Sequence, residues 1–452
     1  MIHEIMYHPS SENSAEEYIE LYNSGADPVA LLNWSFTSGV AFTFPAVSIP
    51  AGGYLVVAAN GPVFAGTHPG VTNYVAGWGG KLSNSSNTIT LRNALQIKMD
   101  EVDYADDGDW GQRERDNPPD FGHRGWGWNS AADGGGKSLE LVNALFDNSV
   151  GQNWQPSTTA SGTPGVANSV AAANIAPIIT GAAHFPLIPS HTDSVAVYAT
   201  MLDDHASAIT ASLHWRIDGA GSFTISPMFD DGAHGDGGAG DNVFGLLLPA
   251  QVNGTIIEFY FEAVDATAHS RTWPAVAKDY TGTFGQYCNC LYQVDDTTYA
   301  GAQPIYRTIM KAADRTELAN INSNSGTAPF PFNGGETNDQ TYSHARFNTT
   351  LISSDGTGPK LRYRSGMRNR GNGSRTSLPQ SFNLNFTNES GWNGIHSLNL
   401  NTQNTPYQLV GSALYRQAGL AMAQSRAVQL RWNGSNPASS NGAPAYGFYV
   451  CN

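Results

Sequence analysis

Four arginines crowd one glycine-punctuated stretch. Between Tyr363 and Arg375 lie Arg364, Arg368, Arg370 and Arg375, with Gly366, Gly371 and Gly373 among them. Guanidinium groups recognise phosphate and carboxylate through paired N–H donors, and a glycine turn can aim backbone N–H groups at an anion. Charge pairing that simply holds a hairpin is the alternative reading of the same arginines. A second stretch, Asp230 to Asn242, is Asp/Gly-rich, with Asp231, Asp236 and Asp241 recurring every five residues. Hard carboxylate oxygens on a flexible loop suit Ca²⁺, which makes Asp230, Asp231, Asp236 and Asp241 candidate calcium ligands. The spacing is not that of an EF-hand, whose closing glutamate is missing. The run Gly237-Gly238-Ala239-Gly240-Asp241 occurs once, where a calcium β-roll needs stacked repeats. A solvated hairpin loop is the alternative, and His234 is a poor calcium ligand. The third group is Trp110, Trp126 and Trp128, within an Asp/Gly/Trp-rich segment 105–136. Such rings either stack on sugars or aromatic ligands, or cap a sandwich end.

No catalytic residue emerges from these patterns. There is no phosphate-binding Gly-x-x-x-x-Gly-Lys-Ser/Thr, no His-Glu-x-x-His and no Gly-x-Ser-x-Gly, and the 12 histidines are scattered. Glu4, Glu16, Glu17 and Glu20 read as solvated or turn-binding groups.

The elements that must position these residues are mostly strands. In Glu17-Tyr18-Ile19-Glu20-Leu21-Tyr22 the alternation puts Ile19 and Leu21 on one face and Tyr18, Glu20 and Tyr22 on the other. Tyr54 to Ala58 is a fully apolar strand, and strands at this spacing predict a sandwich or barrel. The order Glu-Ile-Met-Tyr-His-Pro, Glu-Tyr-Ile-Glu-Leu-Tyr-Asn, Leu-x-x-Trp, Phe-x-Phe-Pro, Ile-Pro-Ala-Gly-Gly-Tyr-Leu-Val-Val resembles the lamin-tail domain, an immunoglobulin-like β-sandwich. The resemblance continues through Asn87–Leu91 and Met99–Tyr104. It closes with Lys137–Leu141 and Gly162-Thr163-Pro164-Gly165-x-x-Asn168. A small-residue stretch at 169–177 reads as a linker. Strands at Ser194–Ala199, Ala211–Ile217, Val243–Leu248 and Ile256–Ala263 then build a second sandwich that resembles immunoglobulin-like or fibronectin-like spacers. Residues 264–303 read as a second connector.

From Ile305 onward the pattern changes. A strand, the basic turn and a returning strand, with Phe382, Leu384 and Phe386 on its buried face, resemble the core of the spore-coat CotH kinase family. So do Trp392–Asn401, a helix over Leu409–Leu420, Arg426–Gly434 and Tyr446–Val450. That resemblance implies an α+β kinase-like domain using ATP and Mg²⁺, with Arg370, Gly371, Asn372 and Arg375 as candidate nucleotide contacts. The sequence departs from the family at Gln380, where a lysine is usual after the proline. The metal-binding and catalytic acids of the family would follow Asn452, so the chain is expected to be a non-catalytic fragment of a longer enzyme.

The expected fold class is therefore mainly β: a lamin-tail sandwich over 1–170 with an inserted loop at 105–136, an Ig/fibronectin-like sandwich over 177–281, and a partial α+β kinase-like domain over 304–452. Lys and Arg number 23 against 38 Asp and Glu, a net charge of −15, which argues against nucleic acid as a partner. No apolar run approaches a membrane span. Three cysteines, Cys288, Cys290 and Cys451, do not make a disulfide framework. The lamin-tail and CotH resemblances imply a bacterial secreted or cell-surface protein. The alternative to a kinase parent is a non-enzymatic adhesion, matrix or coat protein whose sandwiches bind an extracellular protein or glycan.

Overall fold

The computed structural model describes residues 1–205, 208–321, 343–356, 358–371, 378–392, 394–438 and 447–452. The chain divides into two compact units. The first comprises Met1–Gln112, Trp128–Ile178 and Asp203–Ala208; the second comprises Arg113–Gly127, Ile179–Leu202 and Ile209–Asn452.

The first unit is a two-sheet sandwich. One sheet has six strands in the order Trp154–Pro156, Leu139–Leu141, Ile2–Met6, Tyr18–Tyr22, Tyr54–Ala58 and Tyr74–Ala76. Its last pair is parallel and is joined through helix α1, Gly61–Thr67. The facing sheet orders Lys98–Ala105, Ser86–Arg92, Ser35–Ser38 and Phe42–Thr43. The alternation places Ile19, Leu21, Leu55 and Val57 in one core with Phe36, Ile89, Leu91 and Val102. The opposite face of the six-stranded sheet is not left to solvent. Phe64 of α1 packs there with Met6, Tyr18, Val56 and Ala58. The expected linker at 169–177 is packed as well: Ala172 N–H donates to the Val142 carbonyl, and Ile175 is buried with Val142 and Ile178.

The second unit contains the second sandwich and a barrel. The sandwich pairs a three-stranded sheet (Ile178–Phe185, Val195–Leu202, Val243–Leu248) with a five-stranded one. The latter holds Thr224–Pro227, Thr210–Ile217, Ile256–Val264 and Ser270–Trp273, with Cys290–Gln293 added on Ile256–Val264. The expected connector thus supplies strands to this sandwich. The three cysteines are free and buried.

The barrel is closed, where the sequence suggested a partial α+β domain. Its strands run in the order Ile305–Ile309, Phe347–Ser354, Pro359–Asn369, Phe382–Asn385, Ser397–Asn401, Tyr449–Cys451 and Arg426–Trp432. Parallel pairing of Ile305–Ile309 with Arg426–Trp432 completes the ring. Tyr306, Phe347, Met367, Phe382, Leu384, Leu430 and Tyr449 fill it. Closure leaves no exposed sheet edge. Helices α2 (Ala312–Asn320) and α3 (Thr405–Gln417) decorate it. The two predicted strands pair, with Asn369 opposite Phe382 and Arg368 opposite Asn383; the predicted turn between them falls largely outside the described residues.

Candidate functional sites

The arginines gather where two barrel strands meet. Phe347 pairs with Met367, so Arg346 and Arg368 are cross-strand neighbours, and Arg370 lies just past the end of the latter's strand. The stem of Arg346 crosses Gly366, where an added Cβ would lie 2.2 Å from Arg346 Cδ. The Arg368 guanidinium donates to the Asn369 carbonyl (3.1 Å) and meets His344 Nδ1 (3.1 Å). Arg370 donates to Asn401 Oδ1. These acceptors orient the guanidiniums without cancelling their charge. Burial, then the charges of Arg368 and Arg113, press the Arg346 pKa down to about 10, with Asp116 opposing. Arg368 is lowered by burial and by Arg370, and Arg370 by burial. Asn369, between the two, is buried, and neither of its amide atoms has a hydrogen-bond partner among the described residues. Gly371 is described as coil; Asn372 and Arg375, the other candidate contacts, lie outside the described residues.

Gln380 has a structural task. It is buried, its amide donates to the Ala319 carbonyl at the end of α2 (3.1 Å), and its own carbonyl accepts from Tyr449 Oη (3.1 Å).

The carboxylates of the aspartate loop are held by the loop's own backbone. Asp230 accepts the N–H groups of Gly240, Asp241 and Asn242. Asp236, which is buried, accepts those of Asp231, Gly232 and His234. Asp231 binds Ala233 N–H and His234, and Asp241 binds Gly238 and Val243 N–H. Burial alone would raise the Asp236 carboxyl, but the backbone donors outweigh it and bring it below its ordinary range. The oxygens are divided among separate backbone cradles. Among the described residues no three His, Cys, Asp or Glu side chains converge as metal ligands.

The tryptophans have different settings. Trp110 is buried in the first sandwich core, its ring 5.8 Å from that of Trp154. Trp126 is buried in the second unit, stacked on Tyr287 at 5.8 Å with Arg115 above it at 4.8 Å. Trp128 is half-buried. Indoles packed on neighbouring rings have no free face for a sugar. The segment around them is tied down, not a free loop: Glu114 sits opposite Lys278 in a short parallel pairing, with a 3.1 Å ion pair.

The cluster that sequence reading missed is acidic. Register places Glu4 opposite both Glu20 and Glu140, so three adjacent strands form one cross-strand row of glutamates. All three are fully buried. Residues 158–170 cover them. Thr163 N–H and Tyr18 Oη donate to Glu4 (2.9 and 2.6 Å), and Gly165 N–H donates to Glu20. Thr163 Oγ1, Ser169 Oγ and Val170 N–H donate to Glu140 (2.6, 2.7 and 3.2 Å). Asn168 ties the His3 and Leu141 carbonyls together. Burial, then the charge of Glu20, pushes Glu4 up to about 8. Burial also pushes Glu20 to about 8, with Gly165 N–H opposing and Glu140 adding. Burial lowers His3, 3.1 Å from Glu20, to about 4. Near pH 6 that contact therefore joins two uncharged groups. Glu17 is buried too, accepts Leu82 N–H, and is raised by burial to about 7. Of the four glutamates read as solvated or turn-binding, only Glu16 is not buried. The Gly-Thr-Pro-Gly-x-x-Asn run was the available signal, because a turn rich in N–H and hydroxyl donors needs acceptors beneath it.

With this geometry in place, the family comparison is specific. Residues 1–106 match the model of the lamin tail domain, and the first sandwich is therefore an immunoglobulin-like lamin tail domain. Its sheet continues past the matched residues, through Leu139–Leu141 and Trp154–Pro156. No curated protein matches the chain. No helix among the described residues is long and apolar enough to cross a membrane.

Proposed function

We propose that the barrel binds a polyphosphate anion, of the kind carried by Mg·ATP, and that the two sandwiches attach or space it. The reading is supported by one observation: Arg368 and Arg370 are partly buried beside Arg346 and are oriented by neutral acceptors. Like charges brought together in a partly desolvated place cost free energy unless an anion relieves them. The reading is consistent with a CotH-type kinase parent, secreted or displayed on a bacterial cell surface, in which this chain supplies phosphate contacts.

Calorimetric titration with Mg·ATP tests it. The expected result is saturable binding that Arg368→Ala and Arg370→Ala each weaken about tenfold, ~1.4 kcal/mol. Absence of nucleotide binding by the wild-type chain would sink the proposal. A second reading, a non-enzymatic adhesion or matrix protein that binds an extracellular protein or glycan, is favoured by Gln380, whose amide serves packing at the position where the family carries lysine. Glycan or protein binding unaffected by Arg368→Ala, with no nucleotide binding, would select it.

A further inference from the structure

The glutamate row lies under a single segment, and that segment touches it mainly through donors. Thr163 N–H, Gly165 N–H, Val170 N–H, Thr163 Oγ1 and Ser169 Oγ all end on Glu4, Glu20 or Glu140. The fit is close at Gly162, where φ is +82° and an added Cβ would lie 2.0 Å from Glu4 Oε1 and 2.2 Å from Tyr18 Oη. The outer side of the segment is open: residues 158–161, 166 and 167 are exposed. Lifting 158–170 is therefore the direct way for water to reach the carboxyls.

We propose that residues 158–170 form a proton-dependent latch on the lamin tail sandwich: the row Glu4–Glu20–Glu140 clasps the segment, and ionisation of Glu4 and Glu20 within that row releases it.

The charged and titratable neighbours make the sign clear. From the strand Ile2–Met6 come His3 and Glu4; from Tyr18–Tyr22 come Tyr18, Glu20 and Tyr22; from Tyr54–Ala58 comes Tyr54; from Leu139–Leu141 comes Glu140. Beyond α1, His68 packs edge-on against Tyr18 and meets the Ser161 carbonyl. No lysine or arginine is among them. His3, with burial acting against its protonation, gives no cation above about pH 4. Hydrogen bonds from the latch favour the carboxylates, but burial and mutual repulsion outweigh them for Glu4 and Glu20. Glu4 and Glu20 lose their protons to solvent. The folded-state pKa of about 8 exceeds the reference value of 4.5. The folded, latched state therefore binds more protons between these values. Its stabilisation is full below about pH 4.5 and is lost as pH rises through about 8.

Hydrogen exchange of the full chain, expressed as protection factors so that intrinsic exchange is removed, tests the latch. Peptides covering 158–170 are expected to lose at least about tenfold protection between about pH 5 and pH 9. In Glu4→Gln/Glu20→Gln that loss is expected to vanish. A flat wild-type profile, or the same loss in the variant, would overturn the proposal. Should the variant not fold, infrared spectroscopy of the wild-type chain decides. A carboxylic-acid carbonyl band that persists at about pH 7 and disappears in step with protection supports the latch. No such band, or one that disappears independently of protection, refutes it.

Discussion

Glu4, Glu20 and Glu140 stand in one row of the lamin tail sheet; Arg346, Arg368 and Arg370 stand together at one end of the barrel. Both groupings place like charges side by side, but they are managed differently. The glutamates are fully buried, surrounded by N–H and O–H donors, and two of them are pushed up to about 8 so that they hold protons at neutral pH. The arginines are only partly buried and keep their charge, because a guanidinium does not deprotonate in the physiological range even when lowered. A carboxyl can escape burial by taking a proton, whereas a guanidinium has to find an anion. The acid row is thus suited to holding its own chain, and the arginine cluster to holding something else.

The sharpest way to break the acid half of this contrast is Gly162→Ala. Its Cβ would collide with Glu4 and Tyr18 at a positive φ. We expect a loss of ~3 kcal/mol from the first sandwich, read as increased hydrogen exchange in peptides from 1–106; an unchanged profile would mean that the segment does not sit on the acids. Gln380→Ala comes next. It removes a buried amide from the Ala319 carbonyl and is expected to cost the barrel ~1–3 kcal/mol by urea denaturation. A neutral result would return Gln380 to the list of residues free for a ligand. For the arginine half, Arg368→Ala should leave the unfolding midpoint unchanged or slightly raised, since it removes repulsion from Arg346 and Arg370. A large fall in the midpoint would make the cluster structural. The smallest effect is expected from chelation. The aspartate loop is closed by backbone N–H groups, so EDTA should not move the melting temperature, and a clear fall would restore calcium.

Much of this architecture was legible in the chain. Alternation in Tyr18–Tyr22 and Phe382–Phe386 identified strands and their core faces, and the basic glycine turn identified a hairpin. What failed was the meaning of the other face. Glu20 alternates with Ile19 and Leu21, a pattern that normally means solvent. Here α1 and residues 158–170 cover that face, and the covering comes from more than 100 residues further along for Glu20 and Glu4. Long-range covering layers leave no local periodicity to read. Trp110 and Trp126 stayed open between stacking and capping for the same reason: an Asp/Gly-rich segment resembles a free loop until its rings meet Trp154 and Tyr287. The aspartates of 230–241 had suitable ligand types, but their spacing also serves turns that satisfy themselves.

The most direct test of the central claim is a calorimetric titration of the full chain with pyrophosphate at low ionic strength, repeated with Arg368→Ala/Arg370→Ala. The account predicts saturable binding by the wild-type chain, weakening as salt is added, and abolished in the double variant. No binding by the wild-type chain, or equal binding by both proteins, would contradict it.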